Sequence, residues 1–484
     1  MWSDDWPSDA VWKNTHPCSR RLALTFTTPK IMAKKAKKIK TAKGLRLKIV
    51  NPDSAGIDIA DGEMQVCVPE DRDGDNNRRF GSFTEDLHAI CEWLHACRIK
   101  TVAMEATGVY WLSLYQLLKE EGFDVVLANP LQVKNLMEEK TDEADAEWLM
   151  LLHSYGMVRP SFQPENIVRQ IRNITRHRTT NINKAGQETQ RMQKALEMMN
   201  VKLSTVITDI LGKTGQSIIR AILAGNHDPV SLSQMTDKHC KASKETVAKS
   251  LEGTWDEDLL FMLRQSVECY DFYQGQLRDC DQQIESLLAR YVSQIDNEGA
   301  KQLERVKKRR SQKNAVAVDM EMYAHMIWGT NVMAIPGMST NSILQLVAEL
   351  GHDFTDKFDT CAKFCKWCNV VPNNKVTGGK LVSSHIPQRK NPVGLVLRIC
   401  ANSVKAEKSE MGTYFRRMKA KSGHMQAIVA TAHKMARILY AMVKYKQSYD
   451  PAKVGSDEKE LLIKKIERTK RALQRLDDRL RDTG

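Results

Sequence analysis

The chain predicts an α/β domain over residues 50–159 followed by an all-α, helix-rich remainder, and three observations predict it. Short β-like runs alternate with amphipathic helices between Ala55 and Gly156. Beyond Pro160 the apolar residues return at three- and four-residue steps, the period of a helix, as far as about Lys308. A second compact stretch from about Met320 to Tyr445 is helix-rich again.

Residues 1–49 read as a basic N-terminal extension without a fold of its own, a Trp-containing stretch to Ile31 and then an arm from Met32 through Lys48. Met32 offers a second start, so residues 1–31 are expected to be dispensable. In the α/β domain, Gly56–Ala60 and Met64–Val68 read as hairpin strands around Asp61-Gly62. Thr84-Glu85-Asp86 opens a helix with Leu87, Ile90, Cys91 and Leu94 on one face. Thr101–Met104 reads as a third strand, Val109–Glu121 as a helix that Gly122 stops, and Asp124–Leu127 as a fourth strand.

Over 160–300 a first helix carries Ile167, Ile171 and Ile174 on one stripe and Arg169, Arg172 and Arg176 on another, the latter a candidate nucleic-acid contact. A later helix carries Leu260, Leu263, Val267, Tyr270, Leu277, Ile284 and Leu288, with Gln274 and Asp281 filling two seam positions. That is the spacing of a coiled coil and equally of a long helix packed on its own domain. Residues 301–325, with the run Lys307–Lys313, read as a basic linker, 326–446 as a C-terminal domain and 447–484 as a charged helical tail.

Lys and Arg number 73 against 59 Asp and Glu, a formal net charge of +14 with only 6% aromatic residues. That balance points to a polyanion gripped through its phosphates, DNA or RNA ahead of an anionic membrane. No stretch approaches the ~18 uninterrupted apolar residues of a membrane helix, and no leader pattern opens the chain, so a cytoplasmic, nucleoid-associated protein is expected. Eleven cysteines run from Cys18 to Cys400 without a paired framework, as where thiols stay reduced.

Four carboxylates stand where a metal site would want them. Asp58 lies inside an otherwise apolar strand, where a buried charge costs several kcal/mol unless it binds something, and Glu105 ends the third strand. Asp142 and Asp145, three residues apart, share one face of a helix that begins near Thr141. Such oxygen ligands suit Mg²⁺ or Mn²⁺, and a pair of ions ~4 Å apart steadies both the attacking and the leaving oxygen of a phosphoryl displacement. The order of a first-strand Asp, a strand-end Glu and a late helical Asp pair fits the ribonuclease-H-like arrangement of nucleases and integrases. Asp142, Glu143 and Asp145 also simply favour a helix N-terminus through its dipole.

Gly56-Ile-Asp58, Met104-Glu105-Ala-Thr-Gly-Val-Tyr-Trp111, Asn129-Pro-Leu-Gln-Val-Lys-Asn135 and Lys140-Thr-Asp142-x-x-Asp145-Ala resemble the DEDD transposases of the insertion-sequence one-hundred-ten family. The resemblance continues through Val158-Arg-Pro-Ser-Phe162, Ile335-Pro-Gly337, Val371-Pro-Asn-Asn-Lys-Val-Thr-Gly-Gly-Lys380 and Ala427-Ile-Val-Ala-Thr-Ala-His-Lys434, about residues 50 to 450 in all. It implies a RuvC-like domain with Asp58, Glu105, Asp142 and Asp145 as the metal tetrad, a coiled-coil middle used in oligomerisation as a dimer or tetramer, and a C-terminal transposase domain. It implies cutting and rejoining of donor and target DNA under a structured non-coding guide RNA, with a serine nucleophile in the second domain. At the serine's position this chain has Thr377, before Gly378-Gly379-Lys380. Threonine keeps the hydroxyl, but its β-methyl crowds the attack path and restricts χ1. Ser383 or Ser384 replacing it, or an impaired copy, are the alternatives. Lys380, Arg389, Lys390 and Arg398 are phosphate-clamp candidates near that loop. Besides a guided transposase, the sequence allows an RNA-independent RuvC-like structure-selective nuclease or a catalytically impaired nucleic-acid-binding copy.

Three other motifs carry less. Cys361-x3-Cys365-x2-Cys368 has the spacing of a radical-enzyme iron–sulfur site, but its helical context reads as buried thiols, and zinc with His352 or His385 is no better supported. Gly212-Lys213-Thr214 mimics the end of a phosphate-binding loop, yet Ile207 stands where the first glycine belongs. Ile335-Pro-Gly337 resembles half of a helix-hairpin-helix turn, with Ser339 in place of its second glycine.

Overall fold

A computed structural model describes residues 48–106, 108–128, 142–238, 240–295, 302–306, 313–387, 391–453, 466, 467, 469–471, 473 and 474. The basic N-terminal arm, the Asn129–Asn135 motif, Lys307–Gln312, Arg389, Lys390 and most of the charged tail lie outside the described residues. The chain divides into two compact units, the first ending at Ser161 and the second beginning at Phe162.

The first unit is built on a sheet of order β3-β2-β1-β4-β5, with β1 Ser54–Ile59, β2 Glu63–Cys67, β3 Asn77–Gly81, β4 Thr101–Glu105 and β5 Asp124–Ala128. β1, β2 and β3 form an antiparallel meander, while β1, β4 and β5 run parallel, as strands joined through helices do. Helices α1 (Thr84–Ala96) and α2 (Trp111–Glu120) cover one face, packing Leu87, Ile90, Leu94, Leu114 and Leu118 on Ile57, Ile59, Val102 and Met104. Helix α3 (Asp142–Ser154) covers the other face through Ala146, Leu149 and Met150. Strand β3 has no counterpart in the sequence reading. Its residues Asn77-Arg-Arg-Phe-Gly81 lack apolar alternation because it is an edge strand, where charge is tolerated.

The second unit is dominated by two long helices, α4 (Asn166–Met198) and α6 (Glu257–Val292). They run antiparallel. Ile167 and Ile171 near the start of α4 share a core with Leu288 and Tyr291 near the end of α6, while Met192 and Leu196 share another with Leu259 and Leu263. Between them Arg178 Nε donates to Asp281 Oδ1 at 2.5 Å, which explains the acidic residue in an apolar seam. Helix α5 (Lys213–Leu223) closes the outer core with Ile218, Ile219 and Ile222.

The inner core continues without a break into α7 (Met320–Trp328), α8 (Thr340–Leu350), α9 (Cys361–Trp367), α10 (Pro392–Ser403), α11 (Glu410–Ser422) and α12 (His424–Lys444). Where the sequence suggests separate domains over 160–300 and 326–446, one apolar cluster joins Ile167 and Leu288 to Trp328, Leu346, Phe364 and Leu439. The β-hairpin β6 (Asn373–Thr377) and β7 (Lys380–His385) interrupts this helical array. No helix among the described residues is long and apolar enough to cross a membrane.

Candidate active site

Strand alternation decides which β1 residues face α3. Ala55, Ile57 and Ile59 point into the core beneath α1 and α2, so Gly56 and Asp58 point to the opposite face. Gly56 lies so close to α3 that a Cβ there would sit 2.3 Å from the Ala146 carbonyl oxygen and 2.3 Å from the Met150 nitrogen. Only glycine allows that approach. On β4, Ala103 packs on Leu149 of α3, so Glu105 two residues on shares the same face. Gly56 pairs with Ala103 and Ile57 with Met104, which brings Asp58 and Glu105 side by side one step beyond the last pair.

The direction of α3 brings its acidic end to the same place. The Ser154 carbonyl at its C-terminus accepts from the Val50 and Asn51 amides, just before β1 begins. His153, one residue earlier, lies 2.8 Å from Thr101 Oγ1 at the start of β4, and its carbonyl accepts from Asn51 Nδ2 at 2.7 Å. With its C-terminus pinned at the strand starts, α3 carries Asp142 and Asp145 over the C-terminal ends of β1 and β4, the end where open α/β sheets place their ligands. A second tether holds the acidic end. Gln65, the β2 partner of Asp58, donates to Asn77 Oδ1 at 2.7 Å, and Asn77 Nδ2 donates to the Glu143 carbonyl at 3.0 Å.

Glu105 is 8% exposed, while Asp58 and Asp145 are half-buried. Ala103, Ala128 and Leu149 pack together on this face, and burial pushes the Cys67 thiol, the β2 partner of Gly56, up to about 12. Burial likewise holds His153 below the usual imidazole range. The sequence points to the carboxylates but not to Gly56, Asn77 and His153 as what positions them. Gly56 is visible in the motif Gly56-Ile-Asp58, whereas Asn77 and His153 give no signal of their own.

Thr377 has the opposite setting. It ends β6 and pairs with Lys380 across a two-residue turn, where Gly378 and Gly379 take φ of +55° and +74°. Both are left-handed positions, which is why two glycines stand there. Every residue of β6 is exposed, and Val376, Leu381 and Val382 turn apolar side chains outward at 59%, 59% and 68% exposure. Ser384 Oγ donates to Asn374 Oδ1 at 2.7 Å, and Ser383 pairs with Lys375. Lys380 is exposed beside Thr377, and Arg398 Nη2 donates to the Asn369 carbonyl at 2.5 Å.

The arginine stripe of α4 proves largely intramolecular. Arg172 donates to the Ala348 and Glu349 carbonyls, and Arg176 grips Glu349 Oε1 through Nε at 3.0 Å and Nη2 at 2.8 Å. Burial pulls the Arg172 guanidinium below its usual value. Arg169 is half-buried and donates to Asn166 Oδ1. A cationic cluster that the sequence does not single out lies on α11 and α12. Arg417 and Lys434 sit 5.4 and 4.4 Å from the Tyr414 ring centre. Burial, Arg417 and Arg437 together push the Lys434 ammonium below its usual range, the mark of like charges gathered on one face. At the Ile335-Pro-Gly337 motif, the Ser342 amide donates to Ser339 Oγ, so the first turn of α8 is capped from within the chain.

Two family models match the chain. Residues 55–201 match one described as Transposase, and residues 329–414 match one described as Transposase IS116/IS110/IS902 family. Asp58, Glu105, Asp142 and Asp145 fall within the first, and Thr377, Lys380 and Arg398 within the second. No curated protein matches the chain.

Proposed function

The chain belongs to the IS116/IS110/IS902 transposase family, and from that premise we propose that it cuts and rejoins DNA with a divalent-cation site beneath the N-terminus of α3 and a hydroxyl nucleophile on the β6–β7 hairpin. The observation that carries this reading is the convergence of Asp58, Glu105 and the start of α3 on one sheet face, at the C-terminal ends of β1 and β4. The sheet order β3-β2-β1-β4-β5, with a carboxylate in the first strand, supports a ribonuclease-H-like, RuvC-like fold for the first unit.

The donor set fits a hard cation. It is made of carboxylate oxygens alone, Glu105 is buried, and such ligands suit Mg²⁺ or Mn²⁺ rather than zinc. Asp58, Glu105 and Asp145, with Asp142 from the first turn of the helix, would hold the metal. When bound, it would supply charge neutralisation for the developing oxyanions of phosphoryl transfer. The chain's own contribution is to position the backbone: Gly56 lets α3 touch the sheet, and Gln65 and Asn77 fix its acidic end. Among the described residues Asp58, Glu105 and Asp145 are not yet within shared ligand distance, so these side chains would draw together on a bound metal.

Thr377 Oγ1 is the nucleophile of this reading: it attacks a DNA phosphorus, its new P–O bond forms as the P–O bond to a DNA oxygen breaks, and the hydroxyl proton it loses is made up, through solvent, on the departing oxygen. Its exposure at the hairpin tip leaves the hydroxyl open to DNA. Lys380 beside it and the Arg417–Lys434 cluster of α11 and α12 supply backbone contacts. A guide RNA encoded by the element, and a homo-oligomer that pairs one subunit's hairpin with another's carboxylates, complete the proposal, and the net charge of +14 supports it.

The test is to express the chain from its own locus with flanking DNA, sequence any RNA that copurifies, and assay denaturation-resistant protein–DNA adducts with Mg²⁺. A discrete RNA mapping beside the gene, with an adduct kept in Thr377→Ser and lost in Thr377→Val, is the expected result. Cleavage without RNA or adduct would replace this reading with an RNA-independent nuclease. Binding without cleavage would identify an impaired copy.

A further inference from the structure

The described cysteines are all free, and burial raises the thiols of Cys67, Cys91, Cys97, Cys280, Cys368 and Cys400. Cys361 differs. It is the first residue of α9, half-buried, and it lines a cavity of about 680 Å³ together with Thr360, Lys434, Arg437 and Tyr440. Its sulfur lies 3.9 Å from that of Cys365, one helical turn on. A hydrogen bond from the Cys365 thiol, reinforced by the charge and hydrogen bond of the Arg437 guanidinium, lowers Cys361 to about 7. The same pairing raises Cys365, which stays protonated.

We propose that Cys361 is an oxidisable nucleophilic thiol that takes small hydroperoxides from the α9–α12 cavity, with Cys365 as the resolving thiol and Arg437 as the residue that positions the reactive sulfur. The site shares Lys434 with the cationic cluster of α11 and α12 but does not rest on the DNA chemistry above. The Cys361 thiolate attacks one peroxide oxygen. The S–O bond forms as the O–O bond breaks, the departing hydroxide or alkoxide takes a proton from solvent, and the sulfur loses two electrons to the peroxide. The Cys365 sulfur then attacks the sulfenic sulfur. The S–S bond forms, the S–O bond breaks, and water leaves with the thiol proton. Closing 3.9 Å to the ~2.05 Å of a disulfide requires the first turn of α9, capped by a bond from the Lys363 amide to Thr360 Oγ1, to yield toward Cys365.

The experiment uses the reduced full chain, pulsed with iodoacetamide across pH 5 to 10 and mapped by peptide mass spectrometry, alongside equimolar hydrogen peroxide with dimedone. Cys361 is expected to alkylate half-maximally near pH 7. Arg437→Gln should move that midpoint up and slow alkylation at pH 7 on the order of twofold, since the thiolate fraction sets the rate. Peroxide should give a Cys361–Cys365 disulfide in the unmodified chain and a dimedone adduct on Cys361 in Cys365→Ser. A Cys361 midpoint in the ordinary thiol range, ~8.5, would overturn the assignment whatever the variants do. So would peroxide oxidation of the exposed Cys269 ahead of Cys361.

Discussion

Asp58 and Glu105 stand on a sheet face that α3 covers in direct backbone contact at Gly56, whereas Thr377 stands at the tip of a two-stranded hairpin whose first strand is exposed throughout. The two candidate centres therefore acquire their geometry differently. The backbone that carries the carboxylates is set by packing and by tethers at both ends of α3. An isolated two-stranded hairpin is marginal in water, so the position of Thr377 depends on what the hairpin lands on. Its outward Val376, Leu381 and Val382 suit a landing surface rather than solvent. One candidate centre lies under a packed helix, and the other stands on an exposed hairpin.

The strongest way to break this contrast is Gly56→Val. The added side chain collides with backbone of α3 that cannot yield locally, so the cost should exceed the ~3 kcal/mol of ordinary overpacking. Hydrogen exchange should show protection lost across residues 54–154 and retained in α4 and α6. Arg178→Ala should hit the second unit instead, costing about 3 to 5 kcal/mol because Asp281 stays buried without its guanidinium. A denaturant midpoint measures this, and Arg178→Leu with Asp281→Leu should recover most of the loss. Gly379→Ala is milder. Its φ of +74° costs an L-residue roughly 1–2 kcal/mol, felt only by the hairpin, so protein–DNA adduct and cleavage should fall together while the denaturant midpoint of the first unit holds.

The smallest effect is a pH dependence in the first unit. Burial lowers the folded His153 below its unfolded value of 6.5. The unfolded chain then binds the proton more readily, so this contribution is complete above pH 6.5 and is lost as pH falls through the folded value. Unfolding midpoints from pH 7 down to 5 should therefore decline, and His153→Gln should flatten that decline.

Much of the carboxylate face is legible in the sequence because strand alternation fixes faces. Asp58, two residues after Gly56, and Glu105, two after Ala103, must share a side once β1 and β4 pair. What the sequence lacks is direction: nothing in Asp142–Ser154 says that α3 runs back along β1, which its C-terminal bonds to Asn51 and Thr101 decide. Strand β3 leaves no pattern because an edge strand needs no apolar alternation. The Arg172 and Arg176 stripe looks like a nucleic-acid contact because periodicity names a helix face and not its neighbour, and the neighbour is Glu349. Asp281 is a visible oddity in the seam for the same reason, its partner Arg178 being 103 residues away. The hairpin around Thr377 is hidden among helical patterns, although Gly378-Gly379 is its turn signal.

If the face under α3 performs DNA cleavage, Asp58→Asn and Glu105→Gln test it most directly. Both variants would be assayed beside the unmodified chain for Mg²⁺-dependent DNA cleavage and, separately, for DNA binding. Cleavage should disappear in each while binding stays within about twofold, since an isosteric amide removes a metal ligand and little else. Cleavage that survives in both variants would contradict a catalytic role for this face and move the chemistry elsewhere in the chain.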